Sequence, residues 1–238
     1  PLSATSLLPI VLIPMLTERT VSESTAPYAS PIVFLFLGGF LIAIAMEKWN
    51  LHRRIALLTL RKVGVQPKRI VLGMMLATGF LSMWVSNTAT TLMMLPIGLS
   101  ILTLVIERSK HTDQGAEVAD QIGSSGTISQ VVDDPNIRAF GICLVLSIAW
   151  SATIGGLGTL LGSPPNAIVA GYVSDELGRK IGFLEWMMIG LPLSLVFILI
   201  AWFLMTNVIF RFHLDEVPGG RRMIDEQIAE LGPVSQGE

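Results

Sequence analysis

Apolar tracts alternate along this chain with short polar connectors, and two tracts are too long to cross a bilayer straight. Ile70 to Ile106 is almost wholly apolar, and as one helix it would measure ~55 Å. Hydrocarbon is only ~30 Å thick. Ser86-Asn87-Thr88 lies near its midpoint. Side chains of these types accept the free N–H groups of a first helical turn. The pattern predicts two short helices in a re-entrant hairpin, Ile70 to Val85 and Ala89 to Ile106, with Asn87 at the tip. Arg138 to Gly171 poses the same problem, at ~50 Å if unbroken. Its interruption is GGLGTLLGSPPN, Gly155 to Asn166. Four glycines loosen the backbone, Ser163 is placed to cap the next helix, and Pro164 suits a first turn. This predicts a half-helix, an unwound loop at membrane depth, and a second half-helix to about Ser174.

The remaining tracts are simpler. Leu7 to Leu16 contains Pro9 and Pro14 and is read as the end of a spanning helix that starts upstream. Thr17 to Ser30 is read as a polar loop. Ile32 to Met46 reaches spanning length when extended through Ala29 and Trp49, and Gly38-Gly39 would allow close helix packing. Glu47 to Arg69 carries Lys48, Arg53, Arg54, Arg61, Lys62, Lys68 and Arg69 against the single acid Glu47. Leu51, Ile55, Leu58 and Lys62 recur at helical spacing. An amphipathic interfacial helix follows, cytoplasmic by the positive-inside rule. Trp186 to Phe210 is a last span, with Trp186 and Trp202 as anchors after a polar outer loop from Asp175 to Glu185. Arg211, Arg221 and Arg222 put its end inside the cell. Met223, Ile224, Ile228 and Leu231 would line a short interfacial helix in the tail. The predicted divisions are therefore 1–69, 70–107 (hairpin), 108–137 (cytoplasmic loop), 138–178 (discontinuous helix), 179–211 and 212–238.

Composition agrees with an all-α integral membrane protein. Hydrophobic residues make up 51% and charged residues 14%, with a mean hydropathy of +0.64, which is outside the soluble globular range. A net charge of -2 without a basic surface gives no footing for nucleic acid. A single cysteine, Cys143, excludes an intrachain disulfide.

Irregular backbone at membrane depth survives only against protein or a cavity. Half-helix N-termini attract anions, and unwound carbonyls coordinate cations such as Na⁺. No Asp, Glu, Lys, Arg or His occurs in 70–106 or 139–172. A proton relay would need such a group, so a neutral site for an anion and sodium is favoured. The alternative role for Ser86-Asn87-Thr88 is polar glue between packed helices. No catalytic residue is assigned. Gly155-Gly156-Leu157-Gly158 lacks the Gly-Lys-Ser/Thr of a phosphate loop. His52, His111 and His213 lack metal-ligand spacing, and Ser86 has no activating neighbour.

The stretches FLFLGGFLIAIAMEKWNLHRRIAL, MWVSNTATTLMMLPI and TIGGLGTLLGSPPNAIVAGY resemble, in order and spacing, the divalent anion:sodium symporter family. That family includes INDY-type dicarboxylate transporters and sodium/sulfate symporters. The resemblance implies one inverted-repeat half of an elevator-type transporter. It implies substrate contacts from Ser86, Asn87, Thr88 and Ser163, with Pro164 shaping the pocket. It implies a sodium site at Ser82, Ser86, Asn87 and Gly162. The implied partners are a small dianion, sodium, the lipid bilayer, a second copy in a homodimer, and a second repeat outside this chain. The expected function is sodium-coupled symport of a C4-dicarboxylate such as succinate, or of citrate or sulfate, across the plasma membrane. Sodium-independent dianion exchange and a non-transporting membrane scaffold are the alternatives.

Overall fold

The computed structural model describes residues 2–110, 128, 132–214 and 220–233. Most of the predicted 108–137 loop and both flanks of the tail helix lie outside them. Every regular element among the described residues is helical. The chain divides into two compact units, residues 1–41 and 42–238.

The first unit holds α1 (Leu2–Thr5), α2 (Leu8–Leu16), α3 (Val21–Thr25), a 3₁₀ turn (Ala26–Ala29) and the start of α4 (Pro31–Lys48). The expected loop from Thr17 to Ser30 is thus partly helical. Its start is a capping box: Glu23 N–H donates to Thr20 Oγ1 at 3.3 Å, and Thr20 N–H donates to Glu23 Oε2 at 2.7 Å. Tyr28 Oη donates to Ser6 O at 2.6 Å. Of the Gly38-Gly39 pair, Gly38 is exposed and a Cβ there would meet nothing within 4 Å among the described residues, while Gly39 is buried.

The second unit begins with α5 (Leu51–Val63), bounded by Asn50 and Gly64, both at positive φ. Next come α6 (Pro67–Ser82), α7 (Asn87–Lys110), α8 (Pro135–Gly155), a 3₁₀ turn (Gly156–Gly158) and α9 (Pro164–Leu177). Then α10 (Phe183–Phe203) runs into a π-helical turn (Leu204–Ile209), and α11 is Gly220–Glu230. Prolines at the first positions of α6, α8 and α9 cost no hydrogen bond there. Asp134 Oδ1 caps α8 by accepting from Asn136 N–H at 2.8 Å and Ile137 N–H at 3.1 Å.

Four segments among the described residues are long and apolar enough to span: Val21–Lys48, Asn87–Ile106, Pro135–Gly158 and Phe183–Ile209. At 16 and 14 residues, α6 and α9 reach only ~24 and ~21 Å and fall short of the hydrocarbon thickness. Both long tracts are therefore broken. The partners of the two short helices are not short, however: α7 has 24 residues and α8 has 21. Each break joins a full-length helix to a stub rather than two half-helices.

The core lies where α6, α7 and α8 meet. Met74, Met75 and Leu81 of α6, Met94 and Leu102 of α7, and Phe140, Leu144 and Ile148 of α8 are all buried. Gly79 and Gly155 let α6 and α8 touch through main chain: a Cβ on Gly155 would lie 2.2 Å from Gly79 O.

Three further expectations change. The basic helix stops at Val63, and Lys68 and Arg69 belong to α6. Its buried face is Arg54, Ala56, Leu57 and Leu60, while Leu58 is exposed. Leu60 packs where α6 has only Gly73, and Arg54 Nη2 donates to the Gly232 carbonyl at 3.0 Å. The tail helix α11 packs on α5, burying Ile224, with Arg61 Nε 3.3 Å from Asp225 Oδ1. Finally, α9 runs to Leu177 and α10 begins at Phe183, which shortens the outer loop.

Candidate functional site

The two breaks meet. Residues 83–86 connect α6 to α7, and residues 156–163 connect α8 to α9. Ser82, at the last position of α6, is fully buried and donates from Oγ to the Ala152 carbonyl of α8 at 2.6 Å. Asn87 is the first residue of α7, and its amide lies 2.7 Å from Ser82 Oγ. Hydrogen bonding turns the amide NH₂ toward two main-chain carbonyls, Ala152 O at 3.0 Å and Gly162 O at 3.2 Å. Three oxygens thus converge on the Asn87 amide from the two breaks: Ser82 Oγ, Ala152 O and Gly162 O. All are neutral and hard.

Glycine makes this approach possible. A Cβ on Gly162 would sit 2.6 Å from Gly156 O and 2.8 Å from Ser82 O. One on Gly156 would sit 2.5 Å from the Asn87 side-chain amide. Both neighbours at Gly162 are backbone and cannot give way as a flexible side chain could.

The loop between α8 and α9 is stapled from several sides. Asn166, buried at the start of α9, donates from Nδ2 to Gly156 O at 2.7 Å and Thr159 O at 2.8 Å. Thr159 donates from Oγ1 to Met83 O, in the α6–α7 turn. The same oxygen accepts from Leu161 and Gly162 N–H, each at 3.1 Å. Trp186 Nε1 donates to Leu157 O at 2.9 Å, and Ser194 Oγ donates to Ile154 O at 2.9 Å. Neither predicted tryptophan anchor leaves its indole free, because Trp202 Nε1 donates to Lys68 O at 2.8 Å.

The helix starts differ from each other. Ser86 caps α7, with Oγ accepting from Ala89 N–H at 3.3 Å and its carbonyl from Thr90 N–H at 2.9 Å. The Asn87 and Thr88 amides, first in the helix, have no intrahelical acceptor. At α9 the first two positions are Pro164 and Pro165, which carry no N–H, and Asn166 N–H donates to Ser163 O at 3.1 Å. Ser163 occupies the cap position with extended backbone, but its hydroxyl makes no capping bond. The expected side-chain cap is therefore absent, and its place is taken by the two prolines and the Ser163 carbonyl.

Of the residues expected at a sodium site, Ser82, Asn87 and Gly162 are brought together, and the Ser86 hydroxyl is engaged as a helix cap. Of those expected at a substrate site, Ser86 and Thr88 are exposed, Asn87 and Ser163 are half-buried, and Pro164 is exposed. Ala152, Thr159 and Asn166 were missing from the expectation. Asn166 closes the GGLGTLLGSPPN motif and was the one most open to being found there.

A family model described as the sodium:sulfate symporter transmembrane region matches residues 1–238. The chain belongs to the sodium:sulfate symporter family. It is similar to the sodium-dependent dicarboxylate transporter SdcS of Staphylococcus aureus strains NCTC 8325, COL and N315, at 42% identity over 238 residues. That alignment covers all of this chain and 42% of each relative. Family membership and four spanning-length apolar helices make this a multi-pass membrane protein of a transporter family.

Proposed function

We propose that this segment supplies one sodium-and-dianion half-site of a sodium-coupled dicarboxylate transporter in the plasma membrane. What carries the reading is the convergence of Ser82 Oγ, Ala152 O and Gly162 O on the Asn87 side-chain amide from two separate helix breaks. Oxygens facing one another repel unless a donor or a cation lies between them. The Asn87 NH₂ serves as that donor, and a turned amide would present Oδ1 to Na⁺ beside the same carbonyls. Hard neutral oxygens suit a hard cation. Sodium here is a co-transported substrate rather than a resident cofactor.

The dianion is read onto the outer side of the same tip. The Asn87 and Thr88 amides at the α7 start and the hydroxyls of Ser86, Thr88 and Ser163 are donors on offer, since Ser86 caps through its oxygen and keeps its proton, and the helix dipole favours negative charge there. Pro164 closes the edge. A bound sodium behind the tip would offset the anion's charge where no Lys, Arg or His is available, so each ion strengthens the other's binding. The short α6 and its turn make the re-entrant hairpin the natural placement in lipid. The complete transporter would carry a second, inverted repeat with its own triplet and would work as a homodimer by an elevator motion, with α5 linking the hairpin-bearing part to a fixed part.

The test is uptake of labelled succinate, citrate and sulfate into vesicles by the complete transporter containing this segment, with Na⁺ or K⁺ outside. Succinate uptake should need Na⁺, and Asn87→Ala should abolish it while the protein still folds. Equal uptake in K⁺ would favour dianion exchange. An intact sodium response in Asn87→Ala would reduce the triplet to packing.

A further inference from the structure

We propose that Thr159 is a positioning residue for sodium: through its buried hydroxyl it sets the Gly162 carbonyl against the hairpin tip. The inference rests on the sodium-coupled reading above.

Thr159 is fully buried, and its hydroxyl uses all its bonding capacity. It donates to Met83 O, one residue after Ser82, and accepts from Leu161 N–H and Gly162 N–H at 3.1 Å each. A hydroxyl has one proton and two lone pairs, so this inventory is complete. The first bond reaches across to the α6–α7 turn, and the other two fix the loop segment that carries Gly162. Gly162 is held by its amide on one side and offers its carbonyl to Asn87 at 3.2 Å on the other. Asn166 holds the Thr159 carbonyl at 2.8 Å, which orients the residue itself.

Geometry also makes the hydroxyl difficult to replace. Gly162 stands so close to Gly156 O and Ser82 O that the loop has no slack on that side. Remove the Thr159 hydroxyl and Met83 O loses its donor, while the buried Gly162 N–H and the half-buried Leu161 N–H lose their acceptor. The loop then relaxes away from the α6–α7 turn, and the Gly162 carbonyl leaves the oxygen cluster. Thr159 never touches the ion. Removing groups that orient a cation's ligands typically lowers affinity by ~10–100-fold.

The experiment is sodium titration of succinate uptake by the complete transporter in proteoliposomes, at saturating succinate. The chains compared are wild type, Thr159→Val, Thr159→Ser and Thr159→Cys. Thr159→Val should raise the sodium concentration for half-maximal uptake by about tenfold or more, with most of the maximal rate recovered at saturating Na⁺. Thr159→Ser, which keeps the hydroxyl, should stay close to wild type. If Thr159→Val does not fold, the serine and cysteine variants decide, since they differ in hydrogen bonding more than in size. The cysteine variant should then need several-fold more sodium. An unchanged half-maximal sodium concentration in Thr159→Val, or in Thr159→Cys where the valine variant fails, overturns the proposal. So does a loss of rate that no sodium concentration restores. Wild-type uptake indifferent to Na⁺ would instead defeat the sodium-coupled reading itself, and this inference with it.

Discussion

The two helix breaks solve one problem with opposite materials. The α6–α7 turn is built from polar side chains: Ser86 and Thr88 are exposed, and Asn87 reaches inward. The α8–α9 loop is built from glycine, proline and main chain, held by Thr159, Asn166 and Trp186 from behind. The first keeps amide N–H groups at its helix start, whereas Pro164 and Pro165 strip them from the second. One break is therefore suited to presenting donors and an amide that can turn over. The other is suited to presenting carbonyls at fixed positions. A site for an anion and a cation needs both kinds, and the two breaks supply them in different proportions.

That contrast is broken most severely at the glycines. Gly155→Ala drives a methyl into the Gly79 main chain, and overpacking against backbone that cannot shift should exceed the usual ~1–3 kcal/mol. We expect loss of folded protein by size-exclusion chromatography. Gly162→Ala should fold poorly for the same reason and leave no measurable sodium-driven uptake. Asn87→Ala comes next: it should fold, since Asn87 is only half-buried, and lose uptake by ~100-fold or more, equivalent to ~2.7 kcal/mol. Asn166→Ala strips the donors from two buried carbonyls, and each orphaned group costs ~1–3 kcal/mol. Thermal melting should fall clearly, with uptake falling in parallel. Trp186→Phe removes one hydrogen bond to Leu157 O, worth about 1 kcal/mol, so melting should shift slightly and uptake persist. Ser163→Ala is the sharpest small test. Its hydroxyl caps nothing, so melting should move by less than ~0.5 kcal/mol equivalent, while the succinate concentration for half-maximal uptake should rise.

Physical limits on length made both breaks legible before any coordinates. A tract from Ile70 to Ile106 exceeds the bilayer, and its only polar cluster marks the bend. Gly155 to Asn166 declares itself through glycine and proline. Less legible was which residues brace the breaks. Thr159 is one small polar residue in an apolar run, and its partner Met83 lies 76 positions away. No local pattern encodes such a pairing. The buried face of α5 was misassigned for a related reason. Arg54 counts as polar in any periodicity, yet its guanidinium reaches the Leu231 and Gly232 carbonyls, 177 and 178 positions on. Its stem therefore lies on the packed side. The short α3 was missed because its signal, Thr20 with Glu23, is a capping box too brief to show in hydropathy. Ser163 was legible in position and misread in role, since two following prolines remove the N–H groups a serine cap would serve.

The most direct test of the account is the melting temperature of the purified complete transporter, titrated with NaCl against KCl at constant ionic strength, for wild type and Asn87→Ala. A cation held among Ser82, Asn87, Ala152 and Gly162 stabilises the folded state by mass action. Wild type should melt progressively higher with Na⁺ but not K⁺, and Asn87→Ala should lose most of that difference. Equal melting in the two salts, or a sodium response undiminished in Asn87→Ala, would contradict the claim that the two breaks meet around a cation.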